Sequence, residues 1–388
     1  MANISRDLSK HTINLKGVDY ILLSDPARYA ESRRSELHAV TDRLLDGRQF
    51  VLGGMVKEFE LAFASYVGTQ HCVTVASGTD AIEIALRALG CEGKEVLVVA
   101  NAGGYSTISC LAIGATPIFV DIEKSSLLVS VSSLIDLVSE QTGAIVITHL
   151  FGLAVDCAEI DKLVRVKLGR SVPIVEDCAQ AHGAKVGKIR VGAQAMIACF
   201  SFYPTKNLGA LGDGGAITTN DDALAERVIH LRQYGWTQRY FQGVSGGRNS
   251  RLDELQAGFL TVFLRDLDER NDKRRKIVKK YVENGASVVQ GGFANSEKYV
   301  AHLAVCTVKD RDILINKFDE AGISTGVHYP YLDSEFATTQ HLVKQLLPNS
   351  WTARDKIVTL PCFPEMTSEE IGLVCSTISQ CQQHFETT

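Results

Sequence analysis

Three short stretches carry side chains whose types and order could do chemistry. In SGTDAIEIAL, residues 77–86, Ser77, Gly78 and Thr79 stand between a strand-like run and a helical one. Free backbone N–H groups and the positive end of a helix make such a junction an anion site. Gly78 lets a ligand approach the backbone closely. The same residues also fit an ordinary helix cap. Asp177 closes the apolar run VPIVEDC, at the edge where parallel α/β sheets place functional groups; a cap for the following turn would read the same. Gln180 and His182 share its loop. Lys206 follows the run ACFSF, near Ser201, Thr205 and Asn207. An amine at the exit of a buried strand can have a lowered pKa, the condition for Schiff-base chemistry. A solvated loop lysine with turn-forming glycines at 209, 212, 214 and 215 is the plain alternative.

The combination is more specific than its parts. An anion cradle, then an acidic strand end, then a lysine are what pyridoxal phosphate requires. The cradle takes its phosphate, the acid partners its pyridine nitrogen, and the lysine bonds its aldehyde.

The surrounding pattern supplies a scaffold for these groups. VTVAS (73–77), EVLVVA (95–100), PIFVDI (117–122), GAIVITHL (143–150), VPIVEDC (172–178), MIACFSF (196–202) and GAITTN (215–220) are short apolar runs. Helical spacing separates them, as in DAIEIALRAL and AEIDKLVRVKLG. Such alternation predicts an α/β fold with a mostly parallel sheet covered by helices on both faces. After Asp221 the chain turns helical and charge-laced. We place a boundary near 260, giving a large domain over 1–260 with an N-terminal helical segment and a small α+β domain over 261–388. The small domain has strands expected at 299–308 and 323–330 and a helix at 311–322.

The 388 residues hold 40 Lys+Arg against 45 Asp+Glu, a formal charge of −5. That balance argues against a nucleic-acid binder. No apolar run reaches the roughly 20 residues of a membrane span, and the N-terminal stretch has no signal-peptide core. The ten cysteines stand singly, which suits buried thiols in a reducing cytoplasm and no metal site.

The chain resembles the DegT/StrS-type sugar-nucleotide aminotransferases, within the fold-type I pyridoxal-phosphate enzymes. The stretches that carry the resemblance include FVLGGMVKEFELAFASYVG, SGTDAIEIAL, GATPIFVDI, VEDCAQAHGA, SFYPTKNLGALGDGGAITTN, GGRNSRLDELQAGFL, GVHYP and LPCFPEMT, in the family's order from about residue 50 to 365. NAGGYST (101–107) departs from the family's Pro-x-x-Thr-aromatic run while keeping an aromatic residue, Tyr105. The resemblance implies a seven-stranded-type sheet and assigns roles. Lys206 bonds the cofactor and shuttles the proton. Asp177 keeps the pyridine nitrogen protonated. Gly78, Thr79 and Ser201 bind the phosphate, Tyr105 stacks on the ring, and Gln180 lies near the ring's phenolic oxygen. Asn249 reaches the phosphate of the neighbouring subunit's cofactor, so a homodimer with shared sites is implied. His328 and Tyr329 line the sugar site, and His182 is the expected contact that selects the sugar isomer; packing in the core is its alternative role.

The activity implied is transfer of an amino group from L-glutamate to a nucleotide-linked keto sugar. The expected substrate is a dTDP-3-keto-6-deoxyhexose, and the product an amino sugar for polysaccharide, including lipopolysaccharide, or glycoside synthesis. A 4-keto sugar is the alternative. A dehydratase of the same fold would carry histidine at the position of Lys206, and a non-catalytic relative would have lost Lys206 or Asp177.

Overall fold

Seven of the apolar runs pair into one sheet. The computed structural model describes residues 13–15, 18–343 and 345–386. The sheet strands are β1 (His71–Val75), β2 (Glu95–Val99), β3 (Thr116–Val120), β4 (Thr142–Thr148), β5 (Ile174–Asp177), β6 (Ile197–Ser201) and β7 (Gly215–Thr219). Their order is β1-β7-β6-β5-β4-β2-β3. Every neighbouring pair is parallel except the two made by β7. Side chains alternate between faces with period two. Val96 and Val98 enter one hydrophobic cluster while Leu97 and Val99 enter another on the opposite face. Burial on both faces is why these strands read as continuous apolar runs rather than alternating ones.

Helices cover the sheet. The chain enters through α1 (Pro26–Ser32), α2 (Arg34–Gly47) and α3 (Gly54–Val67), then α4 (Gly78–Ala88) follows β1 and α5 (Tyr105–Ala112) follows β2. Ser77 caps α4 by accepting the Asp80 N–H at 3.1 Å. Ile82, Ala85 and Leu86 of α4 and Cys110 of α5 pack on the Val96 face. On the other face, where Leu97 points, α6 (Val131–Leu137) contributes Leu134 and α7 (Cys157–Leu168) contributes Ile160 and Val164. Beyond α8 (Asp222–Leu231), the charge-laced stretch forms two helices, α9 (Glu254–Leu264) and α10 (Leu267–Glu283).

The core changes between those two helices. Leu260 and Phe263 of α9 join the cluster beside Phe59 and Phe63. Ile277, Val278 and Tyr281 of α10 join a separate cluster with β8 (Ala304–Thr307), α11 (Arg311–Glu320) and β9 (Ile357–Leu360). Ile21 belongs to this second cluster, and its segment bridges Ile323. Arg28 of α1 likewise pairs with buried Glu370 at 2.6 Å. Ile21 and Arg28 are thus built into the C-terminal unit.

Two expected strands are corrected. Residues 323–330 form no strand: Gly326 bridges Thr359 and Ile323 bridges Ile21, and the chain then bends to bring His328 and Tyr329 to a cavity. The run 299–308 is a strand only over Ala304–Thr307. Its first residues bond elsewhere, with Val300 N–H donating to Gly152 O at 2.9 Å and His302 N–H to Phe151 O at 3.1 Å.

Candidate active site

Parallel strands of one sheet end together, so their last residues face a common space. Thr148 and Cys199 stand beside Asp177 across β4, β5 and β6. Beyond these ends lies a cavity of about 510 Å³. Its wall includes Gly78, Thr79, Tyr105, Asp177, Gln180, Ser201, Lys206, His328 and Tyr329, all expected from sequence.

The Asp177 carboxylate is held from two sides. Oδ1 accepts the Ala179 N–H at 3.1 Å and Oδ2 accepts the Thr148 hydroxyl at 3.2 Å. Burial pushes its pKa up, while those hydrogen bonds and the Lys206 charge oppose the rise. Lys206 follows β6 in a tight loop, its N–H donating to Tyr203 O at 2.8 Å. Next to it, buried Asn207 donates to Asn271 Oδ1 at 2.8 Å and Val300 O at 3.0 Å, and its Oδ1 lies 2.9 Å from His302 Nδ1. The loop is therefore tied to α10 and to the segment before β8. Burial pulls the Lys206 ammonium from 10.5 down to about 8, with Asp177 resisting. An amine so placed loses its proton far more readily than an ordinary lysine.

The phosphate cradle is built by close approach. A Cβ on Gly78 would lie 2.6 Å from Ser201 Cβ, and one on Gly215 would lie 2.3 Å from Ser77 O. Only glycine lets β6, β7 and the start of α4 come this near, with the α4 N-terminal N–H groups and the Ser201 hydroxyl on one wall. Gln180 is fixed at both ends of its amide: Oε1 accepts the Phe151 N–H at 2.7 Å, and Nε2 donates to Tyr329 Oη at 2.8 Å. The Tyr105 ring meets Tyr329 edge-on at 6.4 Å. His328 Nδ1 sits 2.9 Å from Thr359 Oγ1, and burial pushes its pKa down to about 4.

The departure at 101–107 has a physical reason. Gly103 and Gly104 adopt φ of 78° and 89°. A Cβ on Gly103 would lie 2.8 Å from the Tyr329 ring, and one on Gly104 would lie 2.7 Å from the Phe336 ring. The glycines let the 328–336 segment dock, and the Thr107 hydroxyl donates to buried Asp333 at 2.6 Å beneath it.

His182 is not on the cavity wall, which corrects the expected sugar contact. Its ring is fully buried against Phe200 and Phe202, at 5.5 and 5.9 Å. The turn after Asp177 directs it inward, where Asn271 Nδ2 donates to its carbonyl at 2.8 Å. Asn249 is exposed and does not line this cavity.

Sequence reasoning missed His302, Arg274, and the N-terminal pair Leu23 and Ser24, all on the wall. They lie far along the chain from Lys206, and only Asn207, which holds His302, hinted at them. A buried cluster of His149, Cys157 and Glu176 lies behind β5. Its Glu176 accepts N–H groups from Gly192, Gln194 and Ala195 and pairs with His149 at 3.1 Å, a bonding pattern that makes it a structural brace.

Residues 31–379 match the model of the DegT/DnrJ/EryC1/StrS aminotransferase family. The chain belongs to this family. It is 37% identical over 350 residues to dTDP-3-amino-3,6-dideoxy-alpha-D-galactopyranose transaminase of Aneurinibacillus thermoaerophilus, covering 89% of this chain and 95% of that one. It is 33% identical to UDP-N-acetyl-3-dehydro-alpha-D-glucosamine 3-aminotransferase of Acidithiobacillus ferrooxidans, covering 89% and 93%. The structure of S. venezuelae DesV in complex with a ketimine intermediate superposes with a TM-score of 0.87 at 33% identity, covering 94% and 98%. A Bacillus subtilis structural relative holds the cofactor PMP. The family member described here is an aminotransferase with the fold-type I architecture, and its cofactor is pyridoxal phosphate. The cradle at Gly78, the fixed carboxylate of Asp177 and the softened amine of Lys206 fit that cofactor's three functional ends.

Proposed function

We propose that this enzyme aminates C3 of a nucleotide-linked 3-keto-6-deoxyhexose, carried on dTDP, with L-glutamate as donor. The observation that carries the reading is the joint placement of Lys206 and Asp177 on one cavity wall. The two relatives above differ in nucleotide, yet both names put the nitrogen at position 3. That supports C3 over C4 without the help of His182.

Pyridoxal phosphate supplies an electron sink for the charge left when a proton departs from carbon. The chain's own residues do the rest. Asp177, oriented by Ala179 and Thr148, holds the proton on the pyridine nitrogen. The α4 N-terminus at Gly78 and Thr79, with Ser201, anchors the phosphate. With the cofactor bound, Lys206 Nζ would hold and move the proton, a role suited to an amine that burial makes easier to deprotonate. Gln180, clamped between Phe151 and Tyr329, orients the ring. Tyr105, on the cavity wall, would lie against the ring. His328 and Tyr329 border the sugar, with His328 neutral at working pH.

Exposed Asn249 completes the phosphate site of a second subunit, so the working unit is a homodimer. The enzyme acts in the cytoplasm, and its amino sugar feeds a polysaccharide or glycoside. Running the reaction backwards tests the position. Nucleotide-linked 3-amino and 4-amino 6-deoxyhexoses are each offered with 2-oxoglutarate, and glutamate is measured. Glutamate from the 3-amino sugar supports the proposal; glutamate from the 4-amino sugar alone sinks it.

A further inference from the structure

The cradle of a subunit and the segment that carries its Asn249 are bonded to each other. The cradle runs over Ser77, Gly78 and Thr79 at the start of α4. Ala76 precedes it and Asp80 follows it. Buried Ser250 reaches both. Its Oγ accepts the Ala76 N–H at 3.0 Å and donates to Asp80 Oδ2 at 2.6 Å. The other oxygen of that carboxylate, Oδ1, lies 3.2 Å from Arg248 Nη2. Arg248 Nη1 donates to Glu83, one turn further along α4, at 2.5 Å.

Arg248 and Ser250 are the two chain neighbours of Asn249. Their backbone is held as well. The Arg248 N–H donates to Leu231 O at 2.8 Å and the Ser250 N–H to Arg232 O at 2.9 Å, while Asn249 bridges Gln233. Side chains alternate along an extended segment. Arg248 and Ser250 turn toward α4, and Asn249 between them is exposed.

The charges fit the same arrangement. Asp80 lies in the first turn of α4, where a carboxylate occupies the favourable end of the helix dipole. In this helix that end must also serve a phosphate, and an uncompensated carboxylate would repel it. Arg248 supplies the compensating charge, and it comes from the segment that carries Asn249.

We propose that Asp80 is a positioning residue for both phosphate sites of the homodimer. Through Ser250 it braces the cradle of its own subunit, and through Arg248 and Ser250 it sets Asn249 for the cofactor of the second subunit. The inference rests on the reading that Asn249 is shared between subunits, and not on which sugar or donor is used.

The test uses heterodimers in which one chain alone keeps Lys206, so the absorbance of cofactor bonded to Lys206 reports a single site. The chain with Lys206→Ala carries the second substitution. The reporting site then has an unaltered cradle and receives Asn249, or its replacement, from the altered chain. The loaded heterodimer is dialysed against graded concentrations of pyridoxal phosphate. Asp80→Ala in the altered chain should raise the Kd of the reporting site by about tenfold, the scale of one hydrogen bond to a charged group. Asn249→Ala, placed the same way, should raise it at least as much. A site weakened by Asn249→Ala but unchanged by Asp80→Ala overturns the proposal and leaves the shared site standing. No weakening with Asn249→Ala refutes the shared site, and the proposal with it. A defect seen only when Asp80→Ala stands in the chain that keeps Lys206 makes Asp80 a brace of its own cradle alone, which also overturns the proposal. If Asp80→Ala does not fold, Asp80→Asn keeps an acceptor for Ser250 and removes the charge that holds Arg248, and it too must weaken the reporting site from the altered chain.

Discussion

Replacing Lys206 with methionine should abolish transamination and, in the cofactor-free protein, raise stability. Burial draws the ammonium pKa from 10.5 to about 8 even with Asp177 in attendance. At about 1.4 kcal/mol per pH unit, that gap corresponds to roughly 3 kcal/mol of folding free energy. The unfolded lysine holds its proton more tightly than the folded one. The penalty is therefore complete below pH 8, shrinks as the pH rises from 8 to 10.5, and is gone above that. Methionine has similar length and no charge, so it removes the penalty with little change in packing. Cofactor-free Lys206→Met should be more stable than the parent at pH 7 by up to roughly 3 kcal/mol, and the difference should close near pH 10.5. Urea unfolding of both stripped proteins at the two pH values measures it. Equal stability at pH 7, or a gain that ignores pH, would refute the account of Lys206 as a cation held against its hydration. Surviving turnover would refute its role in the chemistry.

Asp177→Asn keeps the contacts with Ala179 and Thr148 in shape but removes the charge; turnover should fall by about 10²–10³-fold, and an unchanged single-turnover rate would reduce Asp177 to a turn cap. Mixing inactive Lys206→Ala with inactive Asn249→Ala should restore activity in heterodimers, and no recovery after demonstrated subunit exchange would count against shared sites. Gly103→Ala forces a Cβ to within 2.8 Å of the Tyr329 ring at a φ of 78°. It should raise KM for the sugar by about tenfold or more, given the roughly 1–3 kcal/mol cost of overpacking, with a smaller effect on the amino donor; equal KM values for both substrates in parent and variant would show that the 328–336 segment has no part in sugar binding.

The sheet was legible because each strand is buried on both faces, so Val96 through Val99 appear as one unbroken apolar run. The cofactor end of the site was legible for a related reason. Gly78 starts a helix, Asp177 and Ser201 end strands, and Lys206 lies in the short loop after one, where local pattern marks the place. The opposite wall was not legible. Arg274 and His302 reach the cavity only because α10 and the segment before β8 fold back onto the Asn207 loop, and no local period records that. His182 misled because its sequence neighbours are functional, while its ring is turned into the core against Phe200 and Phe202. Residues 323–330 misled because β-prone composition does not reveal that the segment must bend to deliver His328 and Tyr329.

The cavity wall draws on Leu23 and Ser24 near one end of the chain and on Leu360 and Cys362 near the other. During synthesis, a ribosome-bound chain will already have exposed Gly78, Asp177, Ser201 and Lys206 while the far wall is still unmade. Contacts so distant in sequence form late, because long loops must close before they are rewarded. Tight capture of the cofactor is then an event that waits for the segment carrying Leu360 and Cys362 to dock.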